Sequence, residues 1–234
     1  FFNSIDMEPK LIANFNRQFP VYAVLECKGT CVLKEKERSA SSNGEFGQLT
    51  ITDIDCWHFP HNLPKDNSSF YAKSVEGIGA IERCHELMLK DCDGIFCVEE
   101  QGKLVFYVCE LKSSYIKDNI VKAKDQIVGS CLKLDSLLSI LQGYDKDLIE
   151  YRGVIIAYEA DTERLSSFNA LTDRGAAFCI KLYKDGAYHM PKEKCEAYWK
   201  PLRCYDIEIG LVKVPRGNTA YQVRLNDIIR QAHS

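Results

Sequence analysis

The sequence predicts a mixed α/β or α+β protein, with β-rich additions at both ends. Three stretches carry that expectation. Residues 93–114, DGIFCVEEQGKLVFYVCELKSS, read as two apolar strands around a polar turn. Residues 118–141 place apolar side chains at helical spacing, and RGVIIAY at 152–158 is a short apolar run bounded by glycine and charge, as a buried strand requires. Helix, hairpin, helix and buried strand in succession form a layered α/β pattern.

The elements follow in chain order. EPKLIANFNRQF at 8–19 predicts a short helix, with Pro9 tolerated near its start. PVYAVLECKGTCVL has the β-branched and aromatic content of a strand. KEKERSASSNGEFG is a polar loop, LTITDIDCWHF a half-buried strand and PHNLPKDNSSF a loop. SVEGIGAIERCHELMLK at 74–90 predicts a helix capped by Ser74, its stripe being Ile78, Ile81, Cys84, Leu87 and Met88. Strands follow near 93–98 and 103–112. The long helix from Asp118 to Leu141 has the stripe Ile120, Ile127, Cys131, Leu134, Leu138 and Leu141. GAAFCIKLY and YDIEIGLVKV read as further strands and NDIIRQAHS as a terminal helix. No repeat or linker divides the chain, so residues 1–234 are expected to form one domain.

Composition bounds the function classes. The chain has 234 residues, 46% hydrophobic and 27% charged, which matches a globular protein with a sizeable core. No apolar run is long enough for a transmembrane helix, and the start lacks the basic-then-apolar order of a secretory signal, so no membrane partner is expected. Eleven cysteines are scattered without any Cys-x-x-Cys, which predicts reduced thiols and a cytoplasmic location. Cys27 and Cys31, the closest pair in sequence, are the only hint of a metal site. The net charge of −3 argues against a protein that coats nucleic acid electrostatically. Basic residues nonetheless gather between Lys103 and Lys133 and between Phe178 and Arg203, which allows a basic face.

The charged ending of an otherwise apolar strand is the main chemical signal. On residues 103–112, Phe106, Val108, Glu110 and Lys112 share one face, and Val105, Tyr107, Cys109 and Leu111 share the other. Pairing Val98 with Lys103 across a turn of Glu99-Glu100-Gln101-Gly102 makes Glu110 the diagonal neighbour of Asp93 on that face. A slip of one residue would separate the two carboxylates. Two convergent carboxylates beside a lysine suit a hard divalent cation such as Mg²⁺, which takes oxygen ligands and retains water and phosphate oxygens. Asp53 and Asp55 in ITDID alternate onto one face as a second carboxylate pair. No Gly-x-Ser-x-Gly or placed Cys–His pair supports nucleophilic catalysis.

Asp93 followed by Glu110-x-Lys112 at the end of an apolar strand resembles the PD-(D/E)XK nuclease superfamily, the restriction-endonuclease-like fold. The resemblance covers about residues 74–158, with Cys92 where the family has proline, and implies a central mixed β-sheet flanked by helices over that core, with elaborations at 1–73 and 159–234. It implies a Mg²⁺-dependent endonuclease, with Mn²⁺ able to substitute, acting on nucleic acid and on DNA rather than RNA. Asp93, Glu110 and the Leu111 carbonyl would ligate the metal and Lys112 would position the attacking water. Glu82, on the preceding helix with Glu76 and Glu86 as rivals, and Gln126, on the following helix, would support them. Lys117, Lys122 and Lys124 are candidates for phosphate contact, and a homodimer is the implied form for cutting both strands. The alternative is a nuclease-fold protein that binds nucleic acid or protein without cutting.

Overall fold

The computed structural model describes residues 9–34, 46–60, 90–169, 173–191 and 206–232. Its framework is an eight-stranded mixed sheet: β1 (Leu25–Lys34), β2 (Gln48–Phe59), β3 (Gly94–Glu100), β4 (Lys103–Lys112), β5 (Ile149–Tyr158), β6 (Ala187–Met190), β7 (Ile207–Val214) and β8 (Ala220–Arg224). In space the order is β1-β2-β3-β4-β5-β7-β6, with β8 paired to β2. From β1 to β4 the neighbours are antiparallel, whereas β4–β5 and β5–β7 are parallel. The described helices are α1 (Lys10–Gln18), α2 (Lys117–Leu138), α3 (Thr162–Asn169), α4 (Arg174–Asp185) and α5 (Leu225–Ala232). A parallel neighbour cannot be reached by a tight turn, so α2 serves as the crossover from β4 to β5. The predicted mixed sheet with flanking helices is therefore observed.

Both faces of the sheet are covered. Ile95, Phe106, Val108, Ile155 and Ile209 pack under α1, α2 and α4, meeting Phe15, Ile120, Ile127, Cys131, Leu134 and Leu182. The opposite face, with Phe96, Tyr107, Cys109, Leu111 and Val212, packs with Ile51, Leu49 and Ile228. Strand β4 is central, and Phe106, Val108 and Leu111 have no solvent exposure. Each such side chain contributes about 1.5–3 kcal/mol through burial. The predicted stripe is buried throughout, as expected from its spacing, although the helix ends at Leu138 and Leu141 lies beyond it. Where α2 crosses β5 the sheet presents Gly153. A Cβ there would lie 2.7 Å from Ile127 Cγ2 and 3.1 Å from Ile209 Cγ1, so glycine is what permits the helix to sit this close.

Three expectations need correction. GAAFCIKLY is helical: Asp173 caps α4 by accepting from the Ala176 N–H at 2.8 Å, and Gly186 ends it in the left-handed conformation at φ 75°. Those flanking signals outweigh the apolar run between them. PVYAVLECKGTCVL becomes a strand only from Leu25, because Pro20–Tyr22 form a 3₁₀ turn. The hairpin turn is also tighter than predicted, since Glu100 pairs with Lys103 and Val98 with Val105. The turn residues Gln101 (φ 51°) and Gly102 (φ 78°) both take positive φ, the type I′ pattern that matches strand twist. Residues 74–89 of the helix predicted at 74–90 lie outside the described residues.

This turn yields a stability prediction. Gly102→Ala is expected to cost about 1–2 kcal/mol, because it forces a Cβ into left-handed backbone. Gln101→Asn, which creates Asn-Gly at the same positions, is expected to be neutral to stabilising by a few tenths of a kcal/mol. Urea unfolding of both variants measures the two signs, and equal effects would exclude turn strain as the controlling factor.

Candidate active site

The two-residue turn moves the pairing by two residues relative to the sequence-based register. An even shift leaves every side chain on its predicted face. It brings Asp93 level with Glu110 instead of diagonal to it, since Gly94 pairs with Cys109 in the adjacent row. Asp93 is tied to β4 twice: its N–H donates to the Cys109 carbonyl at 3.0 Å, and its Oδ2 accepts the Leu111 N–H at 2.9 Å. The carboxylate is thus held by the strand that carries Glu110.

Lys112 lies two residues farther along the same face. Its ammonium donates to Glu110 Oε1 at 2.5 Å and to Gln126 Oε1 at 3.0 Å. Gln126, half-buried on α2, donates in turn to the Asp91 carbonyl at 2.9 Å. Asp93, Glu110, Lys112 and Gln126 therefore converge where β3 begins, β4 ends and α2 passes overhead. Glu110 is 1% exposed and Asp93 6%, so each carboxylate must be compensated locally. Two carboxylates and one ammonium leave a formal excess of one negative charge.

The segment before β3 is pinned by groups that the sequence did not single out. Lys133, on α2, is buried and paired with Asp91; Lys90 pairs with Asp125 at 3.1 Å; Ser130 Oγ accepts the Cys92 N–H at 2.9 Å. Lys133 therefore belongs to the core and not to the basic face expected between Lys103 and Lys133. The pattern Asp91-Cys92-Asp93 was the available signal: two acids two residues apart at a strand start, one facing the site and one facing the helix.

The candidate phosphate-binding lysines separate. Lys117 and Lys122 line an open groove of about 350 Å³ with Lys90, Asp118, Asp125 and Asp173. Lys117 pairs with Asp173 at 2.8 Å. Lys124 points elsewhere, with its ammonium 5.7 Å from the Phe178 ring centre and 3.3 Å from Asp125. Leu111 contributes its backbone N–H to Asp93, and its side chain lies on the other face. Asp53 and Asp55 sit in the exposed part of β2, distant in register from Asp93, with Asp53 paired to Arg224 and Asp55 accepting the Gly29 N–H. Glu82, Glu76 and Glu86 lie outside the described residues. No family model, curated protein or solved structure matches this chain.

Two predictions test these supports. Asp91→Ala leaves the Lys133 ammonium buried without its carboxylate and is expected to cost about 3–5 kcal/mol, whereas Asp91→Asn with Lys133→Met is expected to cost far less. Chemical denaturation of the two variants gives the comparison. At the groove, the Lys117 ammonium, followed by the Ala176 N–H, holds the Asp173 carboxyl below its ordinary value. Its stabilising effect is therefore present above the ordinary carboxylate range and is lost as pH falls through the lowered folded-state value. Asp173→Ala should lower Tm at neutral pH, and its difference from wild type should close in acid.

Proposed function

We propose that this chain is a metal-dependent nuclease of the restriction-endonuclease-like type, hydrolysing phosphodiester bonds in nucleic acid and in DNA in particular. The observation that carries the reading is the convergence of Asp93, Glu110, Lys112 and Gln126 at one end of β3 and β4. A buried pair of acids level across a hairpin, with an ammonium on the same face, is costly to maintain unless something uses it. The topology adds support. β3 is paired on one side with β2 and on the other with β4, and α2 returns the chain to a parallel β5, as a helix-crossed mixed sheet requires.

The donor set fits a hard divalent cation. Asp93 and Glu110 offer carboxylate oxygens and the Leu111 carbonyl belongs to the same strand end, the oxygen-only chemistry that Mg²⁺ or Mn²⁺ prefers. Bound there, the cation supplies polarisation of a phosphoryl oxygen and a more acidic water. The chain's own residues do the rest. Asp93 is fixed by the Leu111 N–H, so its carboxylate does not need to reorganise. Lys112, oriented by Glu110 and Gln126, presents an ammonium to negative charge developing on a phosphate. Lys117 and Lys122 line the adjoining groove, where a backbone phosphate would meet positive charge.

One observation favours the second reading, a nuclease-fold protein that binds without cutting. Glu110 is 1% exposed and already paired with Lys112, an arrangement that also suits a purely structural ion pair. Cleavage of supercoiled plasmid, single-stranded DNA and RNA in Mg²⁺ or Mn²⁺ separates the two. Wild-type protein is expected to cut, and Asp93→Asn and Lys112→Ala are each expected to lose about 10²–10³-fold in rate while remaining folded. Mobility shifts without cleavage by wild type would support the binding reading instead. Variants as active as wild type would remove these residues from the site.

A further inference from the structure

The opposite face of the sheet carries a second cluster of metal-ligating side chains. Cys27 and Cys31 lie on β1, Cys56 and His58 on β2, and Cys27 pairs directly with Cys56 across the two strands. His58 follows Cys56 by two residues and so projects from the same face. One donor atom each from Cys27, Cys31 and His58 lie within 4.8 Å of one another. In a flat strand, Cα atoms four residues apart are separated by about 13 Å, too far for two thiols to meet. Here the strand pair is bent between them. Gly29 takes φ 75°, and β2 inserts Asp53, at φ 56°, without a partner on β1, because pairing passes from Gly29–Ile54 to Thr30–Thr52. A bulge of this kind kinks and coils the ribbon locally.

We propose that Cys27, Cys31 and His58, with Cys56 as the fourth donor, form a structural zinc site that clamps the β1–β2 edge of the sheet. Three thiols and an imidazole are a preferred tetrahedral set for Zn²⁺, with Zn–S near 2.3 Å and Zn–N near 2.0–2.1 Å. Around such an ion sulfurs stand about 3.8 Å apart, so the observed separations close with small side-chain rotations. Cys56 is at hand: it faces Cys27 directly across the strand pair and is a buried free thiol on the same face. Burial is graded, with Cys31 and Cys56 inside and Cys27 and His58 half-exposed, which leaves the ion a path from solvent. The clamp has a function to perform. The first half of β1 is largely exposed at the edge of the sheet and has few apolar contacts to hold it on β2.

The site is independent of Asp93 and Glu110, which face α2 on the other side of the sheet, so the two are separable by experiment. The full chain, stripped with chelator under reducing, oxygen-free conditions, is titrated with Co²⁺ and then with Zn²⁺ against a chromophoric chelator. The expected result is that thiolate charge-transfer bands and the intense visible bands of tetrahedral coordination saturate at one Co²⁺ per chain and are displaced by Zn²⁺. Cys27→Ser and His58→Gln, at the half-exposed positions, should keep the fold by circular dichroism. Each should weaken Zn²⁺ binding at least about 100-fold, beyond the 10–100-fold of an outer-shell change. Asp93→Asn should leave the Co²⁺ spectrum unchanged. Absence of stoichiometric binding, a disulfide among these thiols in reductant-treated protein, or binding unaffected by both variants would overturn the proposal.

Discussion

The register between β3 and β4 is the constraint on which the rest of the site depends. Every polar contact around Asp93 presupposes that Gly94 faces Cys109, and that pairing is set by a loop of two residues at the far end of the hairpin. A slip of one residue would turn Asp93 to the face that holds Phe96 and Leu111 and bury a carboxylate in hydrocarbon. The apolar alternation of β4 resists the slip, because Phe106 and Val108 would be exchanged with Tyr107 and Cys109 between two differently shaped cores. Tyr107 adds a polar lock, with its hydroxyl donating to Glu100 and accepting from Arg152.

Helix α2 is the second determinant, and it acts on two levels. Its apolar stripe binds it to the sheet through Ile120, Ile127, Cys131 and Leu134, while Gln126, Ser130 and Lys133 project onto the short segment before β3. Residues 90–93 thereby have backbone and side-chain anchors on both sides, β4 beneath and α2 above. Such doubly tied segments open rarely, since local opening must break several buried polar contacts at once. The charges are spared most of the reorganisation that a flexible loop would impose on them.

Much of the site was legible because strand chemistry has a period of two. The face shared by Asp93, Glu110 and Lys112 follows from parity alone, and parity survived an error of two residues in the turn. The turn itself was less legible: Glu99 and Glu100 are polar like turn residues, yet polarity on a half-exposed strand end is ordinary and the positive φ lies at Gln101 and Gly102. GAAFCIKLY has the apolar content of a strand, and only its Asp173 and Gly186 boundaries mark it as a helix. The burial of Lys133 and the approach of His58 to the Cys27–Cys31 pair were beyond sequence reasoning for another reason. Lys133 is buried against its own stripe by a tertiary partner, and the approach of His58 depends on a bulge that no spacing rule anticipates.

Gly153 has no functional group, yet it governs the geometry of several that do. The missing methyl lets Ile127 rest against β5, and Gln126 is the adjacent residue on the same helical turn. Any side chain there would lift α2 like a shim under a hinge plate, and the amide that orients Lys112 would rise with it. The tolerance of the whole polar cluster is therefore machined at a position on the floor of the core, where no charge is present. In this molecule the smallest residue of the sheet sets the working clearance of its most polar corner.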